Sequence, residues 1–511
     1  MELRMIAHRV CALICSVMPR RVLRAVLAAL LLRPMVSFAL APPPPASALD
    51  AKRSKPSIIL IVADDLGYGD LGCYGQRRIR TPRLGRMAAQ GMRFTHFYAG
   101  APVCAPSRAV LLTGLHTGHG TVDRNDSPNL PLASNEHTFA EALARQSYQT
   151  AFVGKWGLGG VTPSTDFGST VTNAGLAHGG GDTILPATAH ALPTRKGFAT
   201  SLAVIDQQYA HQHFPEFVWD GEAVSNIPQN VGRPQAARTV YAQDLFTSRV
   251  LATIRGADGR TPLCMVVAYL LPHRQLVPPP GPNPYAAESW PAQEKTFAAM
   301  VTRLDTDVGR ILDAVDANPA LASNTLVFFT SDNGPHQADG HRADFFASAG
   351  ALRGQKSSLY EGGLRVPGIA RWTGHVPRGS TVNVPCGFVD LSATFRDLAG
   401  DLTAPAATAA GGDGVSLAPL LRGTGKLTRT VPLLWYAPPG LNPADTVAAM
   451  LTNQWKFVLT AAGNAELYDL RADPAEARNL AHANQAVVRA CYATLKAQVR
   501  QPLPALREQT Q

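Results

Sequence analysis

Apolar residues along this chain gather into short unbroken runs, rich in β-branched side chains and separated by polar turns. Residues 57–62 (SIILIV), 148–153, 263–270 and 325–329 are of this kind. Runs of this length without polar alternation predict strands buried on both faces, as in a parallel or mixed sheet covered by helices. Helical spacing appears between them. Phe297, Met300, Val301, Leu304, Val308, Ile311 and Val315 recur at helical intervals over 295–315 and mark a core-facing helix. Pro82–Gln90 predicts a helix with proline in its first turn. Thr138-Phe139-Ala140-Glu141 is a capping-box pattern that opens a helix through Arg145. After an Ala/Gly/Thr-rich stretch at 401–425, residues 431–435 and 455–460 read as strands and 473–495 as largely helical. The pattern predicts an α/β fold: a catalytic-size unit over 49–425, then a small C-terminal α+β unit over 426–511 with an antiparallel sheet.

The ends of the apolar runs carry the chemistry. The first leads into Asp64-Asp65, and the fourth into Ser331-Asp332-Asn333-Gly334. The second delivers Gly154-Lys155-Trp156-Gly157, and the third stops at Leu271-Pro272-His273. In open α/β sheets, ligands bind beyond the carboxyl ends of the strands. Two Asp-containing turns at such ends offer hard oxygen ligands for a divalent cation. Lys356, in Leu352-Arg353-Gly354-Gln355-Lys356, is a further cation for an anionic substrate. Cys104-Ala105-Pro106-Ser107-Arg108 lies just ahead of an apolar stretch that reads as a helix start, and a helix N-terminus beside an arginine perturbs a cysteine. Each feature alone has an ordinary explanation: a buried cysteine, a capping aspartate, a solvated lysine. Ala210-His211-Gln212-His213 lacks partners at metal-ligand spacing and reads as surface histidines.

Together and in this order, the motifs resemble the type I, formylglycine-dependent sulfatases, in a bacterial arylsulfatase-like subgroup. The matching segments are Asp64-Asp65, C-x-P-S-R at Cys104–Arg108 with Leu112-Thr113-Gly114, Gly154-Lys155-Trp156, Pro272-His273 and Asp332-Asn333-Gly334. Leu352–Lys356 with Glu361-Gly362-Gly363-Leu364-Arg365-Val366-Pro367 follows, then Glu466–Leu470 with Asp473-Pro474-Ala475-Glu476 and Asn479-Leu480. The resemblance implies an alkaline-phosphatase-like mixed central sheet flanked by helices. It implies hydrolysis of sulfate esters to alcohol and inorganic sulfate. Cys104 would be the formylglycine precursor, and its hydrate the nucleophile and a metal ligand. Asp64, Asp65, Asp332 and Asn333 would bind one divalent cation, calcium in most of the family, with magnesium the alternative. Arg108 would hold the hydrate, and Lys155, His273 and Lys356 would contact the sulfate and the leaving oxygen. One departure stands out. Many relatives read G-K-W-H-L-G where this chain has Gly157. His116, His119, His211 and His336 are the candidates to replace that histidine. A phosphate or phosphonate ester hydrolase of the same superfamily, and a non-catalytic sulfated-glycan binder, are the competing readings.

Composition narrows the picture further. The 511 residues are 46% hydrophobic and 16% charged, enough for a large core. Residues 1–48 carry six Arg and one Glu, with Arg20, Arg21 and Arg24 ahead of an apolar run and Ala46-Ser47-Ala48 as a cleavage-type site. They read as a signal peptide, with a twin-arginine flavour and Met18 as an alternative start. This predicts a secreted or periplasmic protein with no stable membrane span once processed. Processing takes the net charge from +10 to about +5, with no basic cluster of the sort that binds nucleic acid. The expected partners are a small-molecule or glycan sulfate ester and a formylglycine-generating maturation enzyme. Of seven cysteines, five lie beyond the signal segment without a C-x-x-C pair, which argues against zinc and iron–sulfur sites. Residues 162–194 have no clear period and read as a long loop.

Overall fold

The first apolar run forms β1 (Ser57–Ala63), every residue of it buried. In this computed structural model it lies at the middle of an eleven-stranded sheet. The structure describes residues 55–125, 130–160, 187–401, 412–427, 429, 431–441 and 444–507. The expected signal peptide and most of the loop expected over 162–194 lie outside them. From Lys55 onward the chain is one compact unit.

The remaining runs become the neighbours of β1. β3 (Gln149–Lys155), β7 (Leu263–Ala268) and β8 (Thr325–Ser331) join it, with β2 (Met92–Tyr98), β4 (Thr200–Val204), β5 (Phe217–Asp220), β6 (Ala223–Asn226), β9 (Arg365–Trp372) and β10 (Ser380–Val382). The order is β10-β2-β9-β8-β1-β7-β3-β4-β5-β6, and the short β11 (Cys386–Gly387) pairs with β2. β8, β1, β7, β3 and β4 are mutually parallel, whereas β9 runs antiparallel to β8 and β2. Five carboxyl ends therefore open on one edge. Two helix groups pack about the sheet. Cys104–Thr113 and Phe139–Arg145 meet Phe388–Leu398, while Pro82–Gln90 and Ala242–Gly256 meet Ala292–Ala317. The helix starting at Thr138 has the predicted box: its hydroxyl accepts from Glu141 N, and Glu141 accepts from Thr138 N.

The C-terminal sheet is antiparallel, in the order β12 (Leu433–Tyr436), β13 (Thr446–Leu451), β14 (Trp455–Thr460) and β15 (Ala465–Asp469). Two of these strands, β13 and β15, were not among those read from the sequence. The helix there is shorter than expected and spans Gln485–Gln498. Alternation along β12 sends Leu433 and Trp435 into the main core and Leu434 and Tyr436 into a second core under that helix, with Val488, Cys491 and Leu495. The five described cysteines, Cys73, Cys104, Cys264, Cys386 and Cys491, are free thiols.

A buried charge cluster joins the two sheets. Lys456 on β14 is fully buried and donates to Glu361 Oε1 at 2.8 Å and Glu476 Oε1 at 3.2 Å. Glu361 also accepts from Tyr98 and Arg365, and its backbone N–H donates to Glu476. Removing one partner of a buried ion pair leaves an uncompensated charge. Lys456→Met is expected to cost about 3–5 kcal/mol of stability. Adding Glu476→Gln, which leaves Glu361 paired with Arg365, should recover part of that loss; denaturant midpoints of the single and double variants measure both.

A second buried titratable group lies past the C-terminal end of helix Cys104–Thr113. His116 is 3% exposed and stacks on His119 at 4.1 Å. Its backbone N–H donates to Asp413, and its Nδ1 accepts from Gly118 N. Burial pulls its pKa to about 4, against the nearby Asp413 charge. The folded pKa lies below the unfolded value of about 6.5. The unfolded chain therefore binds the extra proton, and stability falls as pH drops from 6.5 toward 4. The loss is on the order of 3 kcal/mol. His116→Asn should remove this component, so the unfolding temperatures of the two proteins should change their separation only below about pH 6.5.

Candidate active site

The five parallel strands deliver their polar termini to one edge. Asp64 and Asp65 follow β1, Lys155 ends β3, His273 follows β7, and Asp332 and Asn333 follow β8. The backbones lock together there: Asp332 N donates to Ala63 O at 2.9 Å, and Asp65 N to Asp332 Oδ1 at 3.1 Å. Cys104 is the first residue of its helix, with the C-x-P-S-R segment in the opening turns. Ser107 ties that helix to the sheet, donating to Asp332 O and accepting from Gly100 N.

Every residue named above for the site converges around Cys104 Sγ. Asp64 Oδ1 lies 3.5 Å from the sulfur, Asp65 Oδ1 4.0 Å, and Lys356 Nζ 3.4 Å. Lys155 Nζ donates to Asp64 Oδ2 at 2.6 Å, and Lys356 Nζ to Asp65 Oδ2 at 2.7 Å. Arg108 Nη1 donates to Asp332 Oδ2 at 3.1 Å and lies 4.0 Å from Asp64. Asn333 Nδ2 donates to Asp65 Oδ1 at 2.7 Å, and His273 Nε2 faces Asp65 Oδ2 at 3.4 Å. All but Lys356 are buried.

Electrostatics differentiates these groups. Burial alone would raise Asp64, but Lys155, Arg108 and Lys356 hold it near 2. Asp332 is pushed up to about 7 by burial and by the charge of Asp64, against Arg108. The Cys104 thiol is pushed to about 12 by burial and by Asp64. Burial opposes the charge on Lys356, but Asp65, Cys104 and Asp64 outweigh it and raise its pKa. His273 is held well below its usual value by burial, then by Lys356 and Lys155. Its Nδ1 contacts the Arg274 carbonyl, which places the ring proton there and leaves a lone pair on Nε2.

The donor set suits a hard divalent cation. Three carboxylates meet within one buried cluster, and the amide oxygen of Asn333 is a buried acceptor with no hydrogen-bond partner among the described residues. Burial and then the like charge of Asp64 raise Asp332, and a cation among these carboxylates would relieve it. Asp64, Asp65, Cys104 and His273 also lie close enough to share one ion. His116, His119 and Asp413 form a second close group. There the Gly118 amide donates to His116 Nδ1, leaving the proton on Nε2, the atom that faces Asp413. That tautomer offers a cation no lone pair.

The histidine candidates separate by position. His116 and His119 are held by Asp413, and His336 Nε2 contacts the Pro272 carbonyl at 3.1 Å. His211 stacks on His273 at 4.7 Å. Reading 211 and 213 as surface histidines was incorrect: His213 is 1% exposed, and its Nε2 contacts the His273 carbonyl at 3.1 Å. Packing around His273 accounts for both, with His213 buried and His211 half-buried. None of the four fills the space at Gly157. Gln207, which the sequence reading passed over, does: its Oε1 accepts from Arg108 Nη2 at 2.6 Å. It follows β4, whose apolar run 201–205 ends in Asp206-Gln207-Gln208, the same signal that marked the other strand ends.

Comparison with known proteins places this geometry in context. The sulfatase family model matches residues 56–401, and that of the N-sulphoglucosamine sulphohydrolase C-terminal region matches 354–509. Arylsulfatase A of Bos taurus is 33% identical, over 83% of this chain and 78% of its own. Steryl-sulfatase of Rattus norvegicus is 32% identical, over 72% and 70%. N-acetylgalactosamine-6-O-sulfatase of Bacteroides thetaiotaomicron is 29% identical, over 85% and 91%. Among solved structures, Ps i-CgsB in complex with k-i-k-neocarrahexaose superimposes with a TM-score of 0.70 at 24% identity, covering 89% of this chain and 95% of the other. PsFucS1 sulfatase from Pseudoalteromonas sp. does so at 0.64 and 21%, covering 90% and 94%. The fold, the residues gathered on the strand-end edge and these matches lead to one conclusion: this chain belongs to the sulfatase family and is a sulfuric ester hydrolase.

Proposed function

We propose that the protein, once Cys104 is matured to formylglycine and a divalent cation is bound, hydrolyses sulfate esters of sugars or other small alcohols outside the cytoplasm. The observation that carries this is the convergence of eight motif residues around Cys104 Sγ, which stands where the matured group would be. The buried thiol itself, with a pKa near 12, yields almost no thiolate at neutral pH. Oxidised by its maturation enzyme, Cys104 would supply a hydrated aldehyde whose hydroxyl is the nucleophile toward the ester sulfur, the S–O bond to the departing alcohol breaking as the new one forms. Asp64, Asp65, Asp332 and Asn333 would hold a cation that would supply positive charge there, calcium being the proposal and magnesium the alternative.

The chain's own residues do the rest. Arg108, Lys155 and Lys356 place three cationic groups around the reacting centre, where a sulfate monoester develops negative charge. Lys356 retains its proton through Asp65 and sits at the more open side of the cage, so it donates to the leaving oxygen. His273, neutral with a free Nε2, would accept the proton given up by a hydroxyl of the hydrate at position 104. The bacterial sugar-sulfate relative aligns over more of both chains than the mammalian ones named above, which supports a sugar sulfate as substrate. The signal-like pattern of residues 1–48 supports export.

Mass spectrometry of the tryptic peptide spanning Cys104, from protein co-expressed with its maturation enzyme, should show formylglycine. A plain thiol in protein that releases sulfate would overturn the nucleophile assignment. If phosphate release from aryl phosphate outpaced sulfate release from aryl sulfate, the phosphoesterase reading would replace this one. Lys356→Ala is expected to lower kcat by roughly 10²–10⁴-fold for an alkyl or sugar sulfate, the range of a lost proton donor. For 4-nitrophenyl sulfate, whose leaving group needs less protonation, the loss should be much smaller. Equal losses for both substrates would remove Lys356 from the donor role.

A further inference from the structure

The guanidinium of Arg108 is held on three sides, and only one holder has no evident place in the family motifs. Nη1 donates to the Asp332 carboxylate at 3.1 Å, Nε to the Trp156 carbonyl at 3.2 Å, and Nη2 to Gln207 Oε1 at 2.6 Å. Gln207 is 3% exposed and sits on a fixed turn. The segment before it is stitched to the strand carrying Lys155: Trp156 N donates to Val204 O and Gly157 N to Ile205 O, both at 2.9 Å. The segment after it is closed by Asp206, whose carboxylate accepts from Tyr209 N at 2.7 Å.

Gly157 makes this contact available. It has φ +69°, and a Cβ there would lie 2.3 Å from Gln207 Oε1 and 2.9 Å from Arg108 Nη2. Any side chain at 157 would therefore compete with the Gln207 oxygen for the space in which it reaches Arg108. The glycine and the glutamine form one device. Chemistry distinguishes the amide from the alternatives. A carboxylate at 207 would aim Arg108 equally well but would neutralise it. An amide oxygen orients the fork and leaves its charge for an anion.

We propose that Gln207 is a positioning residue that aims Arg108 at the substrate's sulfate group while preserving its positive charge, in space left open by Gly157. This rests on the sulfatase reading above. The test uses the matured, metal-loaded protein, with aryl sulfate kinetics, calorimetric binding of inorganic sulfate, and thermal unfolding. Gln207→Glu is nearly isosteric and should unfold at or above the wild-type temperature. Its KM and its sulfate dissociation constant should each rise roughly tenfold, the scale of one charge-assisted hydrogen bond redirected. Gln207→Ala should lower kcat/KM by at least about tenfold. Gly157→Ala, whose Cβ would crowd both the Gln207 oxygen and Arg108 Nη2, should lower kcat/KM by at least as much as Gln207→Ala. Unchanged KM and sulfate affinity in Gln207→Glu would overturn the proposal. So would loss of the cooperative unfolding transition in both Gln207 variants, which would make the residue a packing element. Absence of sulfate release by the wild-type protein in the same assay would instead defeat the sulfatase reading.

Discussion

The pairing of Lys155 with Asp64 is the constraint from which the rest of the site follows. Nζ and Oδ2 are 2.6 Å apart, and both side chains are within 1% of complete burial. Charges removed from water are tolerated only when closely matched, and breaking such a pair is costly. Asp64 follows β1 and Lys155 ends β3, with β7 between them in the sheet. The pair can form only if all three strands are parallel and in register, so the ion pair and the sheet order specify each other. The same reasoning extends outward. Asp332 needs Arg108 from the neighbouring helix, and Asp65 needs Lys356 from a segment almost three hundred residues away.

That last dependence explains the position of the C-terminal sheet. Lys356 lies between Arg353 and Glu361, and both are gripped from the far end of the chain. Arg353 lies over the Tyr360 ring at 3.7 Å and donates to Tyr468 Oη at 2.8 Å. Glu361 is fixed by Lys456 and Glu476. The small sheet therefore shapes the segment that brings the half-buried Lys356 to the cage, although none of its own residues is among the motif residues around Cys104. The family model of the C-terminal region begins at residue 354, so the boundary drawn by sequence similarity also includes this segment.

Legibility in the sequence followed unbroken apolar runs. Continuous apolar runs fixed β1, β7 and β8 to within a few residues, because strands covered on both faces have no polar alternation to confuse the pattern. Other strands were missed: β5 and β6 are short, β6 has no buried residue, and β2, β4 and β9 were not read as strands although β9, broken by Pro367 and Gly368, is buried throughout. β13 and β15 escaped because antiparallel strands split their residues between two cores, which dilutes any run. The site residues were legible because each follows an apolar run or sits in a recognisable motif. The histidines at 211 and 213 were misread because burial in a loop wall depends on which strand lies beneath it, and local sequence does not encode that. Gln207 was missed because the group that matters there is an uncharged amide beside Asp206, and an amide alone does not mark an ion site.

Charge counting gives that amide its meaning. Arg108, Lys155 and Lys356 contribute three positive charges to the cage, and Asp64, Asp65 and Asp332 three negative ones when ionised. Burial and mutual repulsion lift Asp332 to about 7, so full ionisation is unfavourable unless further positive charge arrives. A divalent cation adds two, and a sulfate monoester with an ionised nucleophile subtracts two. The balance closes at zero only if every other group touching the cage is neutral. His273 satisfies that by remaining unprotonated, and Gln207 by being an amide. A carboxylate at 207 would improve the hydrogen bond to Arg108 yet leave the assembled site one charge short, so selection for tighter packing and selection for turnover pull this position in opposite directions.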